Sequence, residues 1–176
     1  MDNCQELFLA ISRSDLAKVK QLISLGVNIN QFDPERDVTY TPLTRAFEFR
    51  ESQIAKVLLE AGSNFLGSHI IWAVDIAIDE GCLDYILALI EAGADINFWQ
   101  SEDGPFVIEA ASRGAIDVVK LLVEAGADVN QTNSKGQFAL AQASELGHKE
   151  VYDYLVPLTN LKLRAEAEKL MQTGSL

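Results

Sequence analysis

Apolar residues recur along the chain at the spacing of one helix face, and the same phrase returns four times. Ile116, Val119, Leu122 and Val123 form such a stripe ahead of Gly126, the period of an amphipathic helix. Leu83, Ile86, Leu89 and Ile90 repeat it before Gly93, and Leu16, Val19, Leu22 and Ile23 before Gly26. Ser52, Ala55, Leu58 and Leu59 are a weaker copy before Gly62. Each stripe predicts an outer helix that cannot bury its apolar side alone. The glycine predicts its end, because a left-handed cap costs glycine no steric strain. Twelve residues before each of these glycines stands Ser14, Arg50, Gly81 or Gly114, predicted to turn the chain between two antiparallel helices. Shorter helices are predicted upstream, over 6–13, 43–49, 74–80 and 106–113. Each carries a small residue, Ala10, Ala46, Ala77 or Ala110, that lets a neighbouring helix approach closely and favours helix.

The four glycines are 36, 31 and 33 residues apart. A period in this range means stacked repeats, each touching only its neighbours. A fifth copy runs from Gly136 through Ala143 and Gly147, with Val151, Tyr152, Leu155 and Val156 continuing the stripe. Pro157 then stands where the next glycine phrase would approach, and proline cannot continue the helix ladder. One more helix is predicted over 160–171, with Leu161, Ala165 and Leu170 available to close the stack. The expected division is a repeat domain over 1–158, its first and last units acting as caps, and a capping helix and tail over 159–176.

The phrases Leu89-Ile-Glu-Ala-Gly93-Ala-Asp-Ile-Asn97 and Leu122-Val-Glu-Ala-Gly126-Ala-Asp-Val-Asn130, with Thr41-Pro42-Leu43-Thr-Arg-Ala46 and Gly147-His148-Lys-Glu150, resemble the ankyrin repeat family over roughly residues 3–158. No unit keeps the family's histidine after leucine: Thr44, Asp75, Ile108 and Ala141 stand there. The resemblance implies an all-α ankyrin-repeat solenoid of about five helix-turn-helix units with short β-hairpin fingers and a C-terminal capping helix. It also implies a concave surface, formed by the fingers and inner helices, that binds another protein without catalysis.

Function is expected where the units diverge. From each anchor glycine to the next repeated alanine the intervals are 20, 15, 17 and 17 residues, so the first finger is long and the second short. Length variation confined to loops marks the adapted surface. The long finger carries Phe32 among four charges, and the third carries Phe98 and Trp99 beside Glu102 and Asp103. Aromatic anchors ringed by polar groups are the usual composition of an interaction hot spot. Phe98 is also expected to pack on the next finger. On the inner helices Glu48, Phe49, Asp79, Glu80 and Arg113 are expected to face the concavity. Trp72, at the family's threonine position, is expected to be half-buried.

Charge narrows the partner. The formal net charge is −12, which disfavours nucleic acid and anionic membrane and favours a protein with a basic patch. Cys4 and Cys82 lie in no CxxC pair, so reduced thiols and a cytoplasmic location are expected. No signal peptide and no transmembrane run is read. No catalytic, cofactor or metal site is expected. Adjacent acids such as Asp79 and Glu80 diverge on a helix, His148 is expected to make a local turn hydrogen bond, and His69 has no role legible in the sequence. The chain is therefore expected to be a monomeric, non-enzymatic interaction module with an inhibitor, adaptor or immunity-type role. The alternatives are a regulatory subunit of an enzyme complex, or a scaffold self-associating through the final helix.

Overall fold

The computed structural model describes residues 3–33, 36, 40–97 and 104–173. Its helices run α1 (Asn3–Ser12), α2 (Leu16–Ser24), α3 (Pro42–Glu48), α4 (Ser52–Glu60), α5 (Gly67–Glu80), α6 (Asp84–Glu91), α7 (Phe106–Ser112), α8 (Ile116–Glu124), α9 (Ala139–Glu145), α10 (Lys149–Leu155) and α11 (Leu161–Thr173). A short 3-10 turn, Val156–Leu158, joins the last two.

The helix ends follow from the repeated phrase. At the end of α8 the Gly126 N–H donates to the Val123 carbonyl and the Ala127 N–H to the Leu122 carbonyl, both at 2.9 Å. Gly126 has φ +94°, the left-handed conformation in which these two bonds satisfy carbonyls the helix itself leaves open. The same pair of bonds closes α2, α4 and α6 at Gly26, Gly62 and Gly93. The tight turns inside each pair of helices are left-handed too, and two of them, Ser14 (φ 57°) and Arg50 (φ 61°), are not glycine.

The asparagine that ends the phrase carries the repeat to its neighbour. Asp128 accepts the Asn130 N–H at 2.9 Å, and the Asn130 carbonyl oxygen Oδ1 accepts the Asn160 N–H at 2.8 Å. Asn97 does the same one unit earlier, taking the Asp128 N–H at 2.9 Å and giving its amide to the Gly126 carbonyl at 3.1 Å. Asn30 takes the Asn64 N–H at 2.7 Å. Each short acid-or-amide turn thus orders its own finger base and exports one polar side chain to the next repeat.

The chain forms two compact units. One comprises the chain up to Ala73 together with Cys82–Ala94; the other comprises Val74–Gly81 and the chain from Asp95 onward. In the first, α1 packs on α2 and α3, α3 on α4, and α4 on α2 and α6, around Leu7, Leu22, Phe47, Leu58, Tyr85 and Leu89, all essentially inaccessible. In the second, α7 packs on α8 and α9, α9 on α10 and α11, and α8 on α10, around Val107, Leu122, Phe138, Leu140 and Leu155. Full burial of one such side chain stabilises by roughly 1.5–3 kcal/mol. An exposed ion pair rarely exceeds about 1 kcal/mol, so the apolar stripes hold the pairs together.

Two elements depart from the sequence reading. The third inner helix, expected over 74–80, begins at Gly67. Pro42 opens α3 and Pro105 precedes α7, but no such breaker stands before Val74. Ile70, Ala73, Val74, Ile76 and Ala77 are buried at helical spacing instead, and the finger shrinks to the few residues between Gly62 and Gly67. In α11 the expected face is wrong. Leu161 is 80% exposed and Leu170 is also exposed, as is Ala165, whereas Leu163 and Ala167 are buried. Asn160 sets this phase: its N–H is tied to Asn130 while its side chain caps the Leu163 N–H at 3.0 Å, which turns Leu163 and Ala167 inward.

No strand occurs among the described residues. The fingers there are loops closed at the base, by the Asp33 N–H on the Tyr40 carbonyl (2.8 Å) and the Asn133 N–H on the Gln137 carbonyl (3.0 Å). Asp33 and Asn133 both stand seven residues after an anchor glycine. The extra length of the first finger therefore lies between Asp33 and Tyr40.

Candidate functional site

In the first unit the long finger and α3 meet at Arg45. Its Nη2 lies 2.8 Å from Asp33 Oδ2 and its Nη1 donates to the Ser12 hydroxyl at 3.0 Å. The guanidinium also lies 5.0, 5.4 and 5.9 Å from the ring centres of Phe8, Tyr40 and Phe49. Asp33 is 7% exposed, so water screens this pair little and each charge depends on the other. Further along the finger, Arg36 lies 3.4 Å from Glu48 Oε1 and 4.7 Å over the Tyr40 ring. This second guanidinium has the same kind of partners, a carboxylate and a ring face, but in the open.

In the same unit, Phe32 is 54% and Phe49, next in sequence to Glu48, 44% exposed. The expected residues Phe32, Glu48 and Phe49 thus lie on accessible surface, and Glu48 is engaged by Arg36 rather than standing apart. The sequence reading does not single out Arg45, and it includes Asp33, Arg36 and Tyr40 only as members of the long finger. The length of the first finger was the one signal that pointed to them.

A buried polar chain lies beneath α3. The Leu66 N–H donates to His69 Nδ1 at 2.9 Å, so the ring proton sits on Nε2 and is given to the Thr44 hydroxyl at 3.1 Å. The Thr44 and Thr41 hydroxyls are 3.1 Å apart, and Thr41 caps α3 through the Thr44 N–H. His69 is 2% exposed, and burial pushes its pKa down to about 4. Its ring meets Phe47 edge-on at 5.6 Å and Trp72 at 6.0 Å. The role the sequence did not reveal is structural: His69, from the following helix, reaches the threonine that stands in the family's histidine position. A histidine set just before the apolar run Ile70–Val74 was the available clue. Trp72 keeps 40% exposure at the edge of this cluster.

In the second unit Arg113, at the C-terminal cap of α7, is paired with Asp79, with Asp75 at 3.5 Å and with Glu109 at 3.6 Å. The expected Asp79 and Arg113 are therefore partners of each other, which leaves the local cluster acidic with its one arginine engaged. Glu80 is exposed one residue on. Phe98, Trp99, Glu102 and Asp103 lie outside the described residues. His148 corrects an expectation: its Nε2 bonds the Ser112 carbonyl at 2.8 Å, in the preceding repeat and not within its own turn. Among the described residues no three His, Cys, Asp or Glu side chains converge on a metal-sized site. No helix among them is long and apolar enough to cross a membrane.

These surfaces present charged groups and aromatic faces, and the repeated helix pairs that carry them agree with the comparisons. A family model described as ankyrin repeats (3 copies) matches residues 70–167. Among solved structures, an ankyrin repeat domain from Acinetobacter baumannii AYE superposes with a TM-score of 0.71 at 23% identity, covering 96% of this chain and 97% of that one. No curated protein matches the sequence.

Proposed function

The chain belongs to the ankyrin repeat family, and from that premise we propose that it is a non-catalytic module that binds one protein partner through its fingers and inner-helix ends. Ankyrin repeats are in general protein–protein interaction modules. One observation supports the placement here: Phe49 remains 44% exposed next in sequence to Glu48, whose carboxylate pairs with Arg36, and Phe32 of the same unit is 54% exposed; exposed aromatics among charged groups are typical of interaction hot spots. The rigid, capped helices present these side chains ready-ordered, so little entropy is lost on binding. The net charge of −12 and the acids Asp75, Asp79 and Glu109 around Arg113, with Glu80 exposed one residue on, favour a partner with a basic patch. Trp99 and Phe98 belong to the proposed surface on sequence grounds. Cys4 and Cys82 form no disulfide, in keeping with a reducing, cytoplasmic setting. The role is that of an inhibitor, adaptor or immunity-type binder, and the chain acts as a monomer.

The test is affinity capture from the source cell, followed by reconstitution with the purified partner and calorimetry. Phe49→Ala and Trp99→Ala should each weaken the complex at least tenfold, an ordinary hot-spot loss of about 1.4 kcal/mol or more, with unchanged melting. A complex indifferent to both, or an enzymatic activity of the isolated chain, would overturn the proposal.

A further inference from the structure

The start of α5 is tied down by one ring. Leu66 immediately precedes α5, and His69 is its third residue. The Leu66 N–H donates to His69 Nδ1 at 2.9 Å, and Nε2 lies 3.1 Å from the Thr44 hydroxyl. From the same position a glutamate or glutamine side chain reaches back to the helix start in a capping box. Here the acceptor is a ring lone pair, and that lone pair is where a second proton would bind. A protonated ring carries N–H on both nitrogens, so Nδ1–H would face the Leu66 N–H, donor against donor. The bond at the helix start and the neutral ring are therefore one condition.

The surroundings offer a positive charge nothing. Thr44 and Phe47 of α3 and Trp72 of α5 itself face the ring, and Tyr85 of α6 stands behind Phe47, ring to ring at 4.8 Å. Among the described residues no carboxylate or cation contributes to its titration, which burial dominates. Apolar anchoring is thin at this end of the helix: Leu66 is 54% exposed, and Ile71 and Trp72 are each 40% exposed. Segments with few buried contacts open locally at less cost than the whole fold. We propose that His69 is an acid-sensitive latch on the start of α5, and that gaining a proton releases the segment from Leu66 to Trp72 while the rest of the first unit stays folded. The closed form holds the ring neutral and the open form lets it titrate normally, so the latch is shut above about pH 6.5 and weakens as pH falls. Opening also takes the ring from Thr44, whose hydroxyl lies 3.1 Å from that of Thr41, the cap of α3. The latch thus acts at one end of the helix whose other end carries Glu48 and Phe49.

Amide hydrogen exchange of the full chain, read by NMR as protection factors at pH 6.5 and pH 4.5, tests the latch. The Leu66 amide should be less protected than that of buried Leu58 in α4 at both pH values. Its protection should fall roughly 40-fold between them, the linkage for a ring that titrates at about 4 when closed and 6.5 when open. His69→Gln keeps an acceptor for the Leu66 N–H and cannot gain a proton, so its Leu66 protection should stay nearly constant over the same interval. Equal protection of Leu66 and Leu58 in the wild type would mean that the segment opens only with the whole unit, which overturns the latch. A wild-type Leu66 amide indifferent to pH overturns it too, as does an undiminished pH response in His69→Gln. A matching far-ultraviolet circular dichroism spectrum shows that the variant is folded, and if it does not fold the two wild-type readings decide alone.

Discussion

His69 Nε2 lies 3.1 Å from the Thr44 hydroxyl, and this bond ties α5 to α3 through a ring that water scarcely reaches. The neutral imidazole is therefore part of the packing, and burial pushes its pKa to about 4 from an ordinary 6.5. Between those values the unfolded chain binds a proton at this position that the folded chain does not. Stability is thus full above about pH 6.5, declines as pH falls, and loses its last increment from this group near pH 4; the total is on the order of 3 kcal/mol. His69→Gln should remove this component. Urea midpoints at pH 7 and pH 4.5 should drop more for the wild type than for the variant, since carboxylate titration is common to both. Equal drops would show that His69 is not the acid-sensitive group.

The turn glycines should not be equivalent. A methyl on Gly114 would sit 2.5 Å from His148 Nδ1 and 2.9 Å from Cε1, while one on Gly147 would meet nothing within 4 Å. Both residues are left-handed, at φ +69° and +75°. Gly147→Ala should cost only the conformational strain, about 1–2 kcal/mol. Gly114→Ala should cost a further 1–3 kcal/mol or so, because the ring must move and its bond to the Ser112 carbonyl is strained. The two penalties should converge in a His148→Ala background, measured as a double-mutant cycle.

What was legible in the chain is what repeats. The Gly26, Gly62, Gly93 and Gly126 phrases specify the helix ends because the motif is local: a left-handed residue and two backbone bonds within six residues. The intervals between them revealed the long and short fingers. Interactions that span repeats were not legible. Arg113 reaches back 34 residues to Asp79, and nothing in the local pattern of either residue distinguishes a mutual pair from two charges awaiting a partner. Arg45 and His69 were hidden for the same reason. The start of α5 is not legible from the repeat, whose period implies a short inner helix, whereas the apolar run from Ile70 favours extending the helix toward the finger.

Breaking the Asp33–Arg45 pair should separate it sharply from its exposed counterpart. Asp33→Ala removes the carboxylate partner of a guanidinium that is 15% exposed, and losing one partner of a largely buried pair costs up to about 3–5 kcal/mol. Arg36→Ala removes a pair whose members are 48% and 41% exposed and should change stability by no more than about 1 kcal/mol. Urea unfolding of the two variants decides the matter. Similar small losses would mean that Arg45 is held by its ring contacts and hydroxyl rather than by Asp33.

The phase of the last helix offers the most direct check on how the stack is closed. Leu161 and Leu163 are two residues apart, yet one is 80% and the other 8% exposed, because Asn160 fixes the helix start against Asn130. Leu163→Ala should cost about 2–5 kcal/mol as a core truncation, and Leu161→Ala should stay within about 0.5 kcal/mol as a surface change. Asn160→Ala removes the side-chain cap while leaving its backbone N–H on Asn130, so its expected cost is a capping loss of about 1 kcal/mol. If instead Leu161→Ala were the damaging substitution, α11 would pack on the face first expected from Leu161, Ala165 and Leu170, and the phase assigned to Asn160 would be wrong.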